Sequence, residues 1–371
     1  MTDEFTPHPG YTLALPAQPR PIAVVGAGGI VRDAHLPAYR KAGFEIASIT
    51  DLRRDRAQQL ADEYGIPRVY DEVARAVAAA PRDVVYDIAL PPEAHVDVLE
   101  QLPDGAAVLL QKPLGNVLSE GVRTREVCRR KGLVAAVNTQ LRFAPYVAVA
   151  RQLIADGTIG ELYDFEIRVS VRTPWEMFPY VLELDRLEIN MHSVHYLDLI
   201  RSFLGDPTGV SAVTVKHPEK SHANSRSDIA LTYGDRPVRV VVSTNHDHHF
   251  GERYEESYIK WEGTKGAVRV QLGLLLDYPR GGEDRLELVT DDRLADGWRP
   301  VPFEGSWFPD AFIGSMSVVQ RYLEGSIPSL PTSVEDVFRT MAVVEAAYTS
   351  AAKGGEPPAY DLETSKGPTE W

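Results

Sequence analysis

The chain has 371 residues, a formal net charge of -14, 44% hydrophobic and 25% charged residues, and one cysteine. That length predicts two domains, and the negative balance argues against a nucleic-acid groove or an anionic membrane surface as partner. The lone Cys128 excludes an intrachain disulfide and a cysteine-built zinc site.

No apolar run reaches the length of a membrane span, and the opening MTDEFTPHPG carries no signal-peptide pattern. The expectation is a cytoplasmic protein. Residues 1–20 are proline-rich and aperiodic, which predicts an extended N-terminal arm. From residue 21, short β runs alternate with helical ones. PIAVV (21–25) reads as a strand and is followed by a helix to Ala42. EIASIT (45–50) leads to a helix around RRDRAQQLADEYG, and a short strand near RVY leads to the helix EVARAVAAA. DVVYDIAL (83–90) precedes a helix from Pro92 to Leu102. AAVLLQ (106–111) precedes one from about Asn116 to Lys131, and LVAAV (133–137) closes the series. Strands separated by helices imply parallel pairing with right-handed crossovers, so residues 21–143 are expected to form a doubly wound Rossmann sheet, an α/β unit.

After residue 143 the pattern changes. FAPYVAVARQLIADG reads as a helix, ELYDFEIRVSVR as a half-buried strand, and EINMHSVHYLDLIRSFLG as a helix closed by Gly205. GVSAVTVK, DIALTYG, VRVVVSTNH, ESYIKWEG and AVRVQL then read as strands. AFIGSMSVVQRYLEG and SVEDVFRTMAVVEAAYTSA read as closing helices. Residues 144–371 are thus expected to form a C-terminal α+β domain on a large, mostly antiparallel open sheet, its last helices able to pack back on the first domain.

The motif VVGAGGIVRDAHLP places Gly26, Gly28 and Gly29, followed by Ile30, where the first strand gives way to a helix. A dinucleotide needs a glycine for the tight turn, another that lets the backbone approach the pyrophosphate, and free helix N–H groups for the phosphates. The third glycine position holds Val31. Asp51, ending the second strand, can accept from ribose hydroxyls and repels a 2′-phosphate, which favours NAD; Arg53 and Arg54 keep NADP open. In IALPPEAH, Leu90 and Pro91 are expected to flank the nicotinamide ribose. His95 is expected at the same edge as a structural or capping group. Lys112, in LLQKPLG, stands where a buried strand stops. Alone it reads as a snorkelling side chain, but the carboxyl edge of such a sheet is where ligands bind.

GAGGIVRDAHLPA, a strand ending TD, IALPPEAH, QKPLG, VNTQLRFAP and HSVHYLDLIRSFLG, in this order and spacing, resemble the glucose–fructose oxidoreductase / inositol dehydrogenase / MocA-like (Gfo/Idh/MocA) family over about residues 21–352. The resemblance implies an NAD(P)-dependent oxidoreductase acting on a sugar or cyclitol secondary alcohol. It also implies a homodimer or homotetramer formed through the C-terminal sheet. Gln111, Lys112 and Asn138 would lie beside the cofactor. The usual acid before the lysine is Gln111 here, which cannot supply charge to shift the lysine's pKa. His195 and Asp198 fit the second motif, but the acid expected four residues before His195 is Met191. Glu188, Asn190 and His192 are candidates to replace it, Glu188, His192 and His195 standing at i, i+4 and i+7 on one helix face.

Taking a hydride from CH–OH requires a base for the hydroxyl proton. His195, ordinarily titrating near neutrality, suits that role. Lys112 can stabilise the alkoxide, or take the proton itself if burial lowers its pKa. His192 remains open between packing and substrate binding. Trp175, Tyr180 and Trp307 offer flat faces for a sugar, or simply pack loops. STNHDHHFG carries His246, His248 and His249, and a polar face toward substrate or a neighbouring subunit is expected there, not a metal. The functional expectation is an NAD-dependent sugar, glycoside or cyclitol oxidoreductase. Two alternatives remain: an enzyme that recycles bound NAD through a transient ketosugar to cleave a glycoside, and a non-catalytic NAD-sensing regulator.

Overall fold

The computed structural model describes residues 13–356 except Phe178 and Pro279, so 1–12 of the expected arm and 357–371 lie outside the described residues. The first half contains β1 Ile22–Val25, α1 Leu36–Ala42, β2 Ile46–Thr50, α2 Arg54–Tyr64, β3 Val69–Tyr70, α3 Val73–Ala78, β4 Val85–Ile88, α4 His95–Gln101, β5 Ala107–Leu110, α5 Leu118–Arg130 and β6 Val134–Val137. The six strands are parallel, in the order β3-β2-β1-β4-β5-β6. That order reverses between β1 and β4 and opens a crevice at their carboxyl ends. β1, β4 and β5 are buried throughout, because helices cover both sheet faces and leave no solvated side that would impose alternation.

The second half begins with α6 Pro145–Ala155, β7 Leu162–Ser170 and α7 Val194–Leu204. β8 Gly209–Val215, β9 Arg226–Thr232, β10 Arg239–Asn245, β11 Glu256–Gly263, β12 Gly266–Gln271, β13 Arg285–Thr290 and β14 Arg299–Pro300 follow, then α8 Asp310–Leu323 and α9 Val334–Lys353. The eight-stranded sheet runs β14-β13-β12-β11-β7-β10-β9-β8. Its pairs are antiparallel except β7–β10, which is parallel. β13 and β14 are additions to the strands expected from sequence. The inner face, with Phe165, Ile167, Val240, Val242, Ile259, Trp261 and Val268, packs on α6, α7 and the end of α9. The outer face carries ion pairs such as Arg239–Asp164 (2.7 Å) and Lys260–Glu262 (2.8 Å).

The last two helices complete the first half. Phe312, Ile313, Met316 and Val319 of α8 join α1 and α2 on one face of the parallel sheet. Val334, Val337 and Met341 of α9 join α4 and α5 on the other. Ser333 caps α9 by accepting from the Asp336 N–H (3.2 Å). Cys128 is buried in that second layer, and burial pushes its thiol up to about 12, so it is a packed thiol. Among the described residues no helix is long and apolar enough to cross a membrane.

A buried ion network ties the halves together. Arg142 forks onto Asp198 and reaches Asp336 (2.6 Å), while Thr340 Oγ1 donates to Asp198 (2.8 Å). Asp198, which fits the second family motif, therefore serves this structural network. Arg142→Ala is expected to cost about 3–5 kcal/mol, because it strands a buried carboxylate; the check is a lower denaturation midpoint at unchanged m-value.

Two π-turns interrupt the helices near the crevice: Val31–His35 directly before α1, and Ile189–Ser193 directly before α7. Such turns are frequent at functional sites because the extra residue re-aims the side chains around it.

Candidate functional site

The loop after β1 needs its first glycine twice over. Gly26 has φ +110°, and a Cβ there would lie 2.6 Å from the Ala89 carbonyl oxygen. At Gly28 a Cβ would meet nothing within 4 Å. That leaves an open cradle over the start of the helix, where backbone N–H groups and the helix dipole suit a pyrophosphate. Asp51 clamps the turn by accepting from the N–H groups of Ala27 (2.7 Å) and Arg53 (2.8 Å). A carboxylate has about four acceptor positions, so capacity for ribose hydroxyls remains. Val31, in the third glycine position, is fully buried in the helix–sheet core, and Ile30 packs partly against the same core.

Across the crevice, Leu90 is half-buried and Pro91 exposed at the end of β4. His95, expected at the cofactor edge, is fully enclosed instead. Its Nε2 pairs with the Leu90 carbonyl (3.1 Å) and burial lowers it to about 4, so it holds the β4–α4 turn as a neutral ring. Gln111 and Asn138 are likewise buried under the crevice. Both turn their amides to His35 Nε2, at 3.1 and 3.4 Å, so they shape the floor without lining it.

Lys112 stands at the end of β5, and its Nζ donates to the Met191 carbonyl in the second π-turn (2.8 Å). Desolvation lowers its pKa to about 8. His195, at the start of α7, is buried, and burial together with the Lys112 charge holds it well below the ordinary histidine value. This corrects the near-neutral value expected for it. Its Nδ1 has no hydrogen-bond partner among the described residues, and Trp307 packs edge-on against its ring at 5.7 Å. His192 is depressed too, by burial first and then by His246, Lys112 and His195. These mutual influences mark the ammonium and both imidazoles as one cluster assembled from the two halves of the chain.

His246 joins this group from just beyond the end of β10. β10 stops at Asn245, just before the histidine run begins. His246 turns fully inward, pairs with Thr173 Oγ1 (2.8 Å), stacks on His192 at 4.0 Å and approaches Glu188 (3.8 Å). Trp175 packs on both stacked rings, at 5.5 and 5.9 Å. His248 bonds the Gly251 carbonyl near the surface and His249 is exposed. Among the described residues no group of three or more His, Cys, Asp or Glu is arranged to hold a metal ion.

Of the candidates for the acid missing at Met191, Glu188 is fully buried, accepts from Ser193 Oγ (2.7 Å), and is raised to about 7 by burial. Asn190 donates to the Asn116 carbonyl (3.1 Å), and its Oδ1 has no partner among the described residues. The π-turn replaces the single helix face expected for Glu188, His192 and His195: Glu188 turns to Ser193, five residues on, while the Lys112 charge lowers both histidines. Tyr180, expected at the substrate, lies on the surface at 58% exposure. Sequence reasoning missed His35, Tyr39 and Asp87, a buried group beneath the crevice.

Two family models match in sequence order. Residues 20–139 match the Gfo/Idh/MocA model described as an oxidoreductase family with an NAD-binding Rossmann fold, and residues 147–269 match the Gfo/Idh/MocA C-terminal domain. The chain belongs to this family. It is 28% identical over 342 residues to a D-apiose dehydrogenase of Paraburkholderia graminis, covering 90% of this chain and 88% of that one. It is 25% identical to a D-xylose 1-dehydrogenase (NADP(+)) of Haloferax volcanii, covering 89% and 97%. Among solved structures, the fold matches an Agrobacterium radiobacter oxidoreductase in complex with NAD+, L-tartaric acid and magnesium, with TM-score 0.75, 24% identity, and coverage of 91% of this chain and 98% of that one. It also matches a levoglucosan dehydrogenase in complex with NADH and levoglucosan, with TM-score 0.72, 20% identity, and coverage of 91% and 98%.

Proposed function

We propose that the protein is an NAD-dependent oxidoreductase acting on a secondary alcohol of a sugar, glycoside or cyclitol. The observation that carries the reading is Lys112 at the Rossmann sheet edge donating to the Met191 carbonyl in the turn that leads into His195, whose ring its charge depresses. The curated relatives, named as dehydrogenases of sugars, support the substrate class. Gly26, Gly28, Gly29 and Ile30 would hold the pyrophosphate end of the cofactor, Asp51 the adenosine ribose, and Leu90 and Pro91 the nicotinamide ribose. When bound, the nicotinamide accepts or returns the hydride. Because an anion at Asp51 disfavours a 2′-phosphate, NAD is the preferred form.

The chain's own work is proton transfer and orientation. Lys112, poised near 8, takes the hydroxyl proton in the oxidising direction, and its ammonium stabilises alkoxide oxygen in reverse. His195 offers an unpartnered ring nitrogen to the same oxygen. Trp175 and Trp307, expected to offer faces to a sugar, are buried and pack the imidazoles in place, while Asn190 Oδ1 and His192 Nδ1 are open to sugar hydroxyls. The outer face of the eight-stranded sheet is the surface through which two or four copies would pair.

The test is a panel of sugars, glycosides and cyclitols with purified protein, followed by NADH absorbance. NAD-dependent reduction with at least one of them is expected, with NAD favoured over NADP by about tenfold or more. No turnover on any panel member would overturn the reading. Retained nucleotide with no net NADH release would select in-place recycling instead.

A further inference from the structure

We propose that Asp87, His35 and Gln111 form a positioning relay that fixes the backbone of Lys112, with the carboxylate placed at residue 87 instead of at residue 111. The proposal rests on the role assigned to Lys112 above. All three side chains are buried. Asp87 Oδ2 accepts from Tyr39 Oη (2.8 Å) and pairs with His35 Nδ1 (2.7 Å). The His35 ring is held edge-on against Phe312 at 4.9 Å. Gln111 pairs with His35 Nε2 (3.1 Å) through its amide nitrogen, and its Oε1 accepts the backbone N–H of Lys112 (2.8 Å).

Donor and acceptor counting assigns the protons along this line, with the Asn138 amide, 3.4 Å from His35 Nε2, as a second donor to that nitrogen. The Lys112 N–H can only donate, so Gln111 must present its oxygen there and its NH2 to His35. His35 Nε2 must then accept, which puts the ring proton on Nδ1, pointing at a carboxylate that can only accept. One error anywhere reverses the chain. With Asp87→Asn, the asparagine NH2 can face both His35 Nδ1 and the Tyr39 hydroxyl, which turns from donor to acceptor, and so favour the other tautomer. His35 Nε2–H then opposes the Gln111 NH2. Either two donors collide, or the glutamine flips and takes its oxygen away from Lys112. A glutamate at 111 resolves the conflict, because one carboxylate oxygen accepts from His35 Nε2–H and the other from Lys112 N–H. A packing role predicts no such rescue, since Gln111→Glu adds a buried charge and relieves no cavity.

The relay begins in the π-turn Val31–His35, which directly follows the glycine loop. It therefore links the element that would hold the cofactor to the strand end that carries the amine.

Nitrogen NMR of ring-labelled histidine in the unmodified protein reads the His35 tautomer without any substrate. The Nδ1–H form is expected; an Nε2–H form or an imidazolium would overturn the relay even if the protein is an active dehydrogenase. Steady-state kinetics with the best panel substrate then compare Asp87→Asn, Gln111→Glu and the double variant. Asp87→Asn is expected to lower kcat about 10- to 100-fold with little change in KM for NAD, and the double variant to recover most of that loss. A double variant no faster than the slower single one would overturn it. If Asp87→Asn does not fold, the tautomer spectrum and the folding of the double variant decide: a folded double variant with His35 in the Nε2–H form supports the relay, and an unfolded one refutes the compensation. If no panel substrate is turned over, the Lys112 reading fails while the tautomer result still stands or falls alone.

Discussion

Lys112→Ala should lower turnover about a thousandfold or more while NAD still binds. The amine approaches the Met191 carbonyl from the end of β5, and removing it deletes both the proton acceptor and the charge opposite the alkoxide. The crevice that would hold the nucleotide is built by other residues, so NADH fluorescence titration of the variant should match the parent. The pH profile gives the sign independently. Burial disfavours the ammonium and lowers it to about 8. The neutral amine is the form that accepts a proton, so alcohol oxidation should climb roughly tenfold per pH unit below about 8 and level off above it. Carbonyl reduction should show the mirror image and fall above about 8. Lys112→Arg keeps a cation that does not deprotonate in proteins, so it should flatten that limb along with the loss of rate. Near-parental turnover in the alanine variant would remove the lysine from the mechanism.

The second large effect separates folding from cofactor binding at two glycines of one loop. Gly26→Ala forces an L residue to φ +110° and brings its Cβ to 2.6 Å from the Ala89 oxygen. That oxygen cannot retreat freely, because the Ala89 N–H is bonded to the Val25 carbonyl (2.8 Å). A loss of about 2–4 kcal/mol is expected in denaturant titrations without nucleotide. Gly28→Ala meets open space and should leave that stability within about 0.5 kcal/mol. It fills the cradle, however, so NAD affinity should drop about a hundredfold. If Gly28→Ala binds NAD normally, the nucleotide is not seated over this helix start.

The parallel half was legible in the sequence because its strands are short apolar runs bounded by turn residues, and because the glycine motif falls at a strand–helix junction. Asp51 and Lys112 could be placed for the same reason: both end such a run. What the sequence could not show is pairing at a distance. β7 and β10 share a parallel ladder, and nothing local distinguishes that from the antiparallel pairs around it. β13 does alternate, as RLELVT, but lies between turn-rich segments, and two-residue β14 has no pattern at all. The π-turn at 189–193 defeated the helical-face argument, since one extra residue rotates everything before it relative to α7. His195 was found by motif, but its depressed basicity comes from enclosure, which a helix pattern does not report. His35 sits in the quoted motif, yet its partner Asp87 follows three strands later, in β4, and reads as an oddity inside an apolar run.

The interleaving of α8 and α9 with the parallel sheet has a consequence for biogenesis. When residues 20–139 have left the ribosome, their sheet still lacks the helix carrying Phe312, Met316 and Val319 on one side and the helix carrying Val334 and Met341 on the other. The nascent nucleotide-binding half must wait, with greasy flanks uncovered, until translation has passed the entire second sheet. A fragment truncated between the halves would inherit those bare flanks permanently and should be an aggregation-prone product, not an autonomous module.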